Sequence, residues 1–135
     1  MTVPRVAFFA DSFHEMNGVA LTSRQFQEFA IREGRPFCSV HAGPTTHARQ
    51  QGGCAVQELA ASSLSFRVER DLCFDLAFVR HLAIARKALR AFQPDVVHIT
   101  GPSHIGMLGA MLAHQLGVPL AASWHTNLHE YAALR

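Results

Sequence analysis

Polar residues able to bind an anion or another polar ligand occur in three short segments, each just after an apolar run of the chain. The first segment ends in Asn17-Gly18, the second contains Ser103 and His104, and the third begins at His125. Glycine lets a ligand approach the backbone closely, and the free N–H groups at a helix start attract phosphate. Asn17-Gly18 therefore suits a phosphate group, although a cap and a turn for a following helix explain the same two residues. His125 suits a hydrogen bond to a polar ligand.

Spacing argues against several other kinds of site. The first segment contains neither G-x-G-x-x-G nor G-x-x-x-x-G-K-[ST], which disfavours a conventional NAD domain and a P-loop. A hydrolase needs G-x-S-x-G, but Gly106 follows Ser103 by three residues, so Ser103 is better explained as a helix N-cap. His125 and His129 have i, i+4 spacing without the Glu of H-E-x-x-H or a third ligand. We therefore predict no metal site.

The elements that must position these segments follow from hydrophobic periodicity. Apolar runs predict strands at 5–11, 36–41, 96–100 and 118–123, and 43–65 is predicted to be a loop with a short strand. Helical spacing predicts a helix from 19 that Gly34 caps, with Leu21, Phe26, Phe29 and Ala30 near one face. Two further helices are predicted at 76–92 and at 104–116, the second capped by Gly117.

Strands alternating with helices predict an α/β fold, a doubly wound and mainly parallel sheet with right-handed crossovers. Ligands of such sheets bind outside the carboxyl ends of the strands, near the point where the strand order reverses. Because all three polar segments leave strand carboxyl ends, we expect Asn17, Gly101 and His125 to share one rim of the sheet.

Composition limits the protein class. The chain has 135 residues, of which 49% are hydrophobic, and a net charge of +2 without a basic block, so nucleic acid is not an expected partner. Cys38, Cys54 and Cys73 lack a C-x-x-C pair, which argues against a disulfide framework or a zinc knuckle. The first apolar run is too short for a signal peptide, so we expect a cytoplasmic protein.

Three blocks in combination carry a family resemblance: RVAFFADSF with NGVA, then FQPDVVHITGPSHIG, then GVPLAASWHTN. In this order, from 5 to 131, they resemble the N-terminal domain of the family 4 retaining glycosyltransferases of GT-B fold, with 44–75 matching only loosely. The resemblance implies two Rossmann-like domains that move a sugar from a nucleotide-sugar to an acceptor without a metal or other cofactor. It implies that 1–135 is a truncated, acceptor-side N-terminal part, inactive alone, since no Glu-x7-Glu motif of a C-terminal donor domain occurs.

The resemblance also implies residue roles. Asn17 and Gly18 would lie against the donor phosphates and the acceptor, although many relatives have two consecutive glycines there. His125 would be the catalytic residue that contacts the donor sugar near the reacting carbon. Thr126 would face the acceptor, and Ser103 and His104 would line the same cleft as acceptor contacts.

Other interpretations stay open at this point. A stand-alone Rossmann-like module could bind a nucleotide or anion without catalysis, and an esterase-like hydrolase using Ser103 is less favoured. The basic stretch from Arg67 to Gln93, which includes an amphipathic helix, predicts peripheral contact with the inner membrane face and a lipid or lipid-linked acceptor. The resemblance also allows a sugar as the acceptor. Alternatively, the apolar stripe of this helix packs on the sheet. Apolar surface left by missing partners predicts self-association of the chain.

Overall fold

The fold is built on a six-stranded sheet. The computed structural model describes residues 3–11, 13–14, 16, 18–69, 72–75 and 77–123. In the described residues the strands of this sheet are β1 Val6–Ala10, β2 Phe37–Gly43, β3 His47–Gln51, β4 Cys54–Ala60, β7 Val96–Ile99 and β8 Leu120–Ala122. A separate antiparallel pair is formed by β5 Ser65–Glu69 and β6 Leu72–Asp75.

The strand order of the large sheet is β3-β4-β2-β1-β7-β8. All neighbours pair in parallel except β3, which runs antiparallel to β4 at the edge. Counted along the chain, the parallel strands stand in the order 3-2-1-4-5 of a doubly wound nucleotide-binding sheet. The order reverses between β1 and β7, so the crevice expected to bind a ligand lies at their carboxyl ends. This confirms the predicted α/β class.

Helices cover both faces of the sheet. The helix α1 Gly18–Glu33 follows β1, and its Ala30 packs in a cluster that contains Phe8 and Phe37. On the other face, α2 Leu82–Phe92 and α3 His104–Leu116 pack against Phe9 and Val40. Alternate residues of β1 therefore serve opposite faces, which explains why the strand is apolar throughout.

The structure corrects two of the predicted elements. Residues 43–65 contain the hairpin of β3 and β4 rather than a loop with one short strand. Gly52, in the left-handed region with φ of 58°, makes its tight turn, so the Gly52-Gly53 pair was the overlooked signal. The helix predicted at 76–92 begins as a 3-10 turn at Phe78–His81 and becomes α-helical at Leu82, while residue 76 lies outside the described residues.

The predicted apolar face of α1 is wrong for three of its four residues. Ala30 is buried as predicted, but Leu21, Phe26 and Phe29 are 51%, 42% and 47% exposed, and the other buried residues of the helix are Ala20, Ser23 and Gln27. Phenylalanines 8, 13 and 37 already fill the layer between this helix and the sheet, so the helix presents small or polar residues to it. The result is an exposed apolar surface on α1, the kind of surface on which the self-association proposal depends.

The apolar stripe of α2 is used by the core. Ala85, Leu89 and Phe92 are buried, and Arg86 on the outer side donates to the Gln115 side chain of α3. Peripheral membrane contact would therefore depend on the basic side chains rather than on this stripe, and it stays a proposal. None of the helices in the described part of the chain combines the length and apolarity needed to cross a membrane.

Candidate functional site at the carboxyl rim of the sheet

The carboxyl ends of β1 and β7 are tied together at the point where the strand order reverses. The backbone N–H of Asp11, directly after β1, donates to Oγ1 of Thr100, directly after β7, over 2.9 Å. Ser103 Oγ donates to the Asp11 carboxylate from the next turn of the chain. The rim between these two strands is thus a fixed polar framework of Asp11, Thr100 and Ser103.

Two glycines allow this close approach. A Cβ on Gly101 would lie 2.2 Å from Oδ2 of Asp11, and one on Gly106 would lie 1.9 Å from the carbonyl oxygen of Gly101. The same Gly106 Cβ position is 3.2 Å from Oδ1 of Asp11. The Asp11 carboxylate therefore lies at the N-terminal end of α3, where the helix dipole stabilises a negative charge.

Ser103 is the N-cap of α3, as predicted. Its Oγ accepts from the backbone N–H of Gly106 at 3.3 Å while its own hydroxyl proton goes to Asp11. Ser103 is buried, and the ring of the adjacent His104 accepts from the backbone N–H of Asp75 at its Nδ1. The serine therefore has an aspartate and a helix N–H as its partners, an arrangement that favours a cap over a nucleophile.

Asp75 anchors the end of β6 beside His104. It is fully buried, accepts from the backbone N–H groups of Ser62 and Ala77 and from the Ser62 hydroxyl, and lies 3.6 Å from Arg80. Burial by itself would raise the pKa of this carboxyl, but the hydrogen bonds and the Arg80 cation outweigh it and lower the pKa to about 2. The charged form of Asp75 is thus part of the folded structure.

We expect Asp75→Asn to lower the free energy of unfolding of the chain by about 2 kcal/mol at neutral pH, the equivalent of the lowered pKa. Since the pKa falls from 3.8 to about 2 on folding, this stabilisation exists above the unfolded-state value and is lost as pH drops through the folded-state value. Urea unfolding at several pH values measures it. The gap between wild type and variant should close between about pH 4 and 2.

Glu28→Gln, on the exposed side of α1, is the matched control, and we expect it to leave the unfolding free energy nearly unchanged. A gap between wild type and Asp75→Asn that stayed constant down to pH 2 would contradict the assigned role of the charged carboxyl.

The predicted site residues divide into two groups. Gly18, Ser103 and His104 lie in the described part of the chain, at the starts of α1 and α3. Gly18 is exposed, and beyond its chain neighbours and its own helix no atom of the described residues lies within 4 Å of a Cβ built on it. Asn17, His125 and Thr126 lie outside the described residues. Of the three positions predicted to share the rim, the structure therefore places Gly101 alone.

A second polar cluster was not predicted from the sequence. His14, His41 and Glu58 come from the segment after β1, from β2 and from β4, and their ligand atoms lie within 4.8 Å of one another. His41 and Glu58 are directly opposite each other in the parallel register of β2 and β4. The available signal was their position near the carboxyl ends of adjacent strands, which becomes visible only once the register is known.

The electrostatics of this cluster favour a neutral imidazole beside a carboxylate. Burial lowers the pKa of His41 to about 4, against the opposing effect of Glu58. Burial also acts to raise the pKa of Glu58, but hydrogen bonds from His14 and His41 outweigh it and leave that pKa lowered. At neutral pH the cluster therefore contains an ionised Glu58 and an uncharged His41.

This sheet order, with its polar rim at the reversal of strand order, defines a Rossmann-like, doubly wound class of domain. Residues 12–135 match the family described as Glycosyl transferase 4-like domain, so the chain belongs to that family. The match covers the segments after β1, β7 and β8, including the predicted site residues that lie outside the described part.

Among individual proteins, the chain is similar to a GDP-mannose-dependent alpha-mannosyltransferase from Mycobacterium tuberculosis. The two are 43% identical over 134 residues, which is 96% of this chain. The chain spans 34% of the length of that relative.

Proposed function

We propose that this chain is the N-terminal, acceptor-side part of a retaining glycosyltransferase that transfers mannose from GDP-mannose to an acceptor. The observation that carries the proposal is the 43% identity to a GDP-mannose-dependent alpha-mannosyltransferase across 96% of the chain. The strand order supports it, because the crevice of a doubly wound sheet is where nucleotides bind.

The start of α1 is the proposed position of the donor phosphates. A phosphate is stabilised at a helix N-terminus by free N–H groups and by the helix dipole. At α3 this position is taken by the Asp11 carboxylate, whereas the first turn of α1 at Gly18 is open. Negative charge on Asp11 would repel a phosphate from α3, which supports Gly18 and the preceding Asn17 as the phosphate contact.

The acceptor is proposed to bind over the rim beside α3. Ser103 and His104 are 5% and 6% exposed, so they would contact an acceptor only with the edge that faces the crevice. The hydrogen bond of Ser103 to Asp11 and that of the His104 ring to the Asp75 backbone fix both side chains in place. Thr126 is proposed as a further acceptor contact and His125 as the catalytic contact to the donor sugar, with no metal required.

A donor titration of the full-length gene product tests the nucleotide-sugar. Calorimetry with GDP-mannose, and with UDP-glucose as the matched control, should show tighter binding of GDP-mannose. Mannose transfer is then measured as the release of GDP. Methyl α-mannoside serves as a soluble acceptor, and vesicles of lipid extract serve as a source of lipid acceptors. An α-linked product identified by NMR would support retention.

Two outcomes would contradict the proposal. Equal binding of the two nucleotide-sugars, or none, would remove the assignment of the donor. Binding of GDP-mannose without transfer to any acceptor would favour the alternative of a nucleotide-binding module without catalysis.

A further inference from the structure

We propose that His14, His41 and Glu58 form a binding site for one Zn²⁺ ion, which fastens the segment between β1 and α1 to the sheet. The inference is independent of the proposed function, since none of these three residues is a proposed donor or acceptor contact. It stands on the geometry and surroundings of these three side chains.

The distances fit tetrahedral zinc. Nε2 of His14 lies 2.9 Å from Oε1 of Glu58, and Nε2 of His41 lies 3.2 Å from the same oxygen. Zinc bonds of about 2.0–2.2 Å in tetrahedral geometry separate neighbouring ligand atoms by about 3.3–3.5 Å. Movements of a few tenths of an ångström would bring these two pairs to that separation, and the imidazole nitrogens of His14 and His41, which lie within 4.8 Å of one another, would close around the ion with water as the fourth ligand.

The ligand types favour zinc over a hard cation. Two imidazoles and one carboxylate form the three-ligand set that zinc accepts with one position open. Magnesium and calcium prefer oxygen ligands throughout, which this cluster does not provide. The half-exposed His14, with 48% of its side chain accessible, gives the ion a path to an otherwise buried site.

The buried histidine is held in one orientation. The ring of Phe13 stacks on His41 with centroids 3.7 Å apart and 4° between the planes. Without a metal, the uncharged His41 donates from Nε2–H to Glu58. Ser39 Oγ lies 3.2 Å from Nδ1, so when zinc binds the ring proton would move to Nδ1 and be donated to this hydroxyl, which leaves the Nε2 lone pair for the metal. A second polar partner that fixes the tautomer is typical of histidine ligands.

The carboxylate is also positioned by its surroundings. A Cβ at Gly43 would lie 2.3 Å from Oε2 of Glu58, so the glycine leaves room for the carboxylate in this position. His47 Nδ1 lies 3.7 Å from the same Oε2, and Arg49 Nη1 lies 3.7 Å from Oε1. The Arg49 cation competes with a metal ion for the carboxylate, but its side chain is 39% exposed and can turn towards solvent.

Zinc would change the segment that leads into α1. His14 is the ligand contributed by that segment, whereas His41 and Glu58 belong to adjacent strands. With zinc, a single bond network would join the segment to β2 and β4. Without it, the same segment is held to Glu58 by the His14 hydrogen bond.

The test uses the full-length gene product, purified without a histidine tag and treated with a chelator. Calorimetric titration with Zn²⁺ should give one site that the variant His14→Ala weakens by at least about 10-fold, because loss even of a group that only orients a ligand costs about that much. His14→Ala removes a half-exposed side chain. Glu58→Gln keeps the size of its side chain but replaces the charged carboxylate by a neutral amide, and it should weaken zinc binding as well. His114→Ala on the exposed side of α3 is the matched control and should bind as wild type does.

A second readout is limited proteolysis within 11–18, which Zn²⁺ should slow in the wild type and leave unchanged in His14→Ala. Circular dichroism confirms that each variant is folded. Equal zinc affinity in wild type and His14→Ala, or absence of zinc binding in folded wild type, would overturn the proposal. Binding of Mg²⁺ as tightly as Zn²⁺ would overturn the assignment to zinc.

Discussion

His125→Ala in the full-length gene product should lower kcat by at least about 10²-fold while the protein stays folded. A positioned polar group that contacts the reacting sugar stabilises charge in the transition state more than in the bound substrate, and loss of one such contact costs several kcal/mol. Donor affinity should therefore fall much less than turnover. The measurement is steady-state kinetics with GDP-mannose, together with calorimetric donor binding.

His114→Ala is the matched control, because His114 lies on an exposed part of α3 away from the strand carboxyl ends. Its kcat should equal that of the wild type. Near-normal turnover in His125→Ala would assign His125 a structural role, and an equal fall in donor affinity and turnover would assign it a binding role.

Gly106→Ala should lower the free energy of unfolding by about 1–3 kcal/mol, the usual cost of forcing an extra group into a filled space. The new Cβ would lie 1.9 Å from the Gly101 carbonyl oxygen, so the backbone itself must move. That movement pushes the start of α3 away from Gly101, the residue that lies against Asp11. Urea or thermal unfolding of the chain measures the loss.

Gly18→Ala offers a comparison at the start of another helix, because a Cβ there meets no atom within 4 Å. We expect it to leave stability unchanged or slightly raised, as alanine is the better helix former. Similar stability losses in the two variants would show that steric contact at Gly106 is not the cause.

The sequence predicted best those elements whose signals are local. The helix α3 begins and ends as predicted, because the Ser103 cap and the left-handed Gly117 lie at its two termini. The strand β7 was also predicted within one residue, since its apolar run is short and bounded by Pro94 and Gly101. Such boundaries depend only on neighbouring residues.

Features that depend on distant contacts were missed. The burial of α1 is set by how much space the phenylalanines of the sheet already fill, and helical periodicity contains no information about that space. The cluster of His14, His41 and Glu58 depends on the register of β2 with β4. The tie between Asp11 and Ser103 likewise joins residues 92 positions apart in the chain.

The two edges of the large sheet differ in their capacity to recruit another strand. In the described residues, β3 closes one edge with the sequence HARQQ, of which every residue is exposed, and it runs antiparallel to its neighbour without an apolar side chain larger than alanine. The other edge is β8, a short exposed run of Leu120, Ala121 and Ala122. Charged or polar edges discourage strand addition, whereas apolar ones invite it. The sheet can therefore be extended in one direction, beyond β8, by a strand from the same polypeptide or from a second copy.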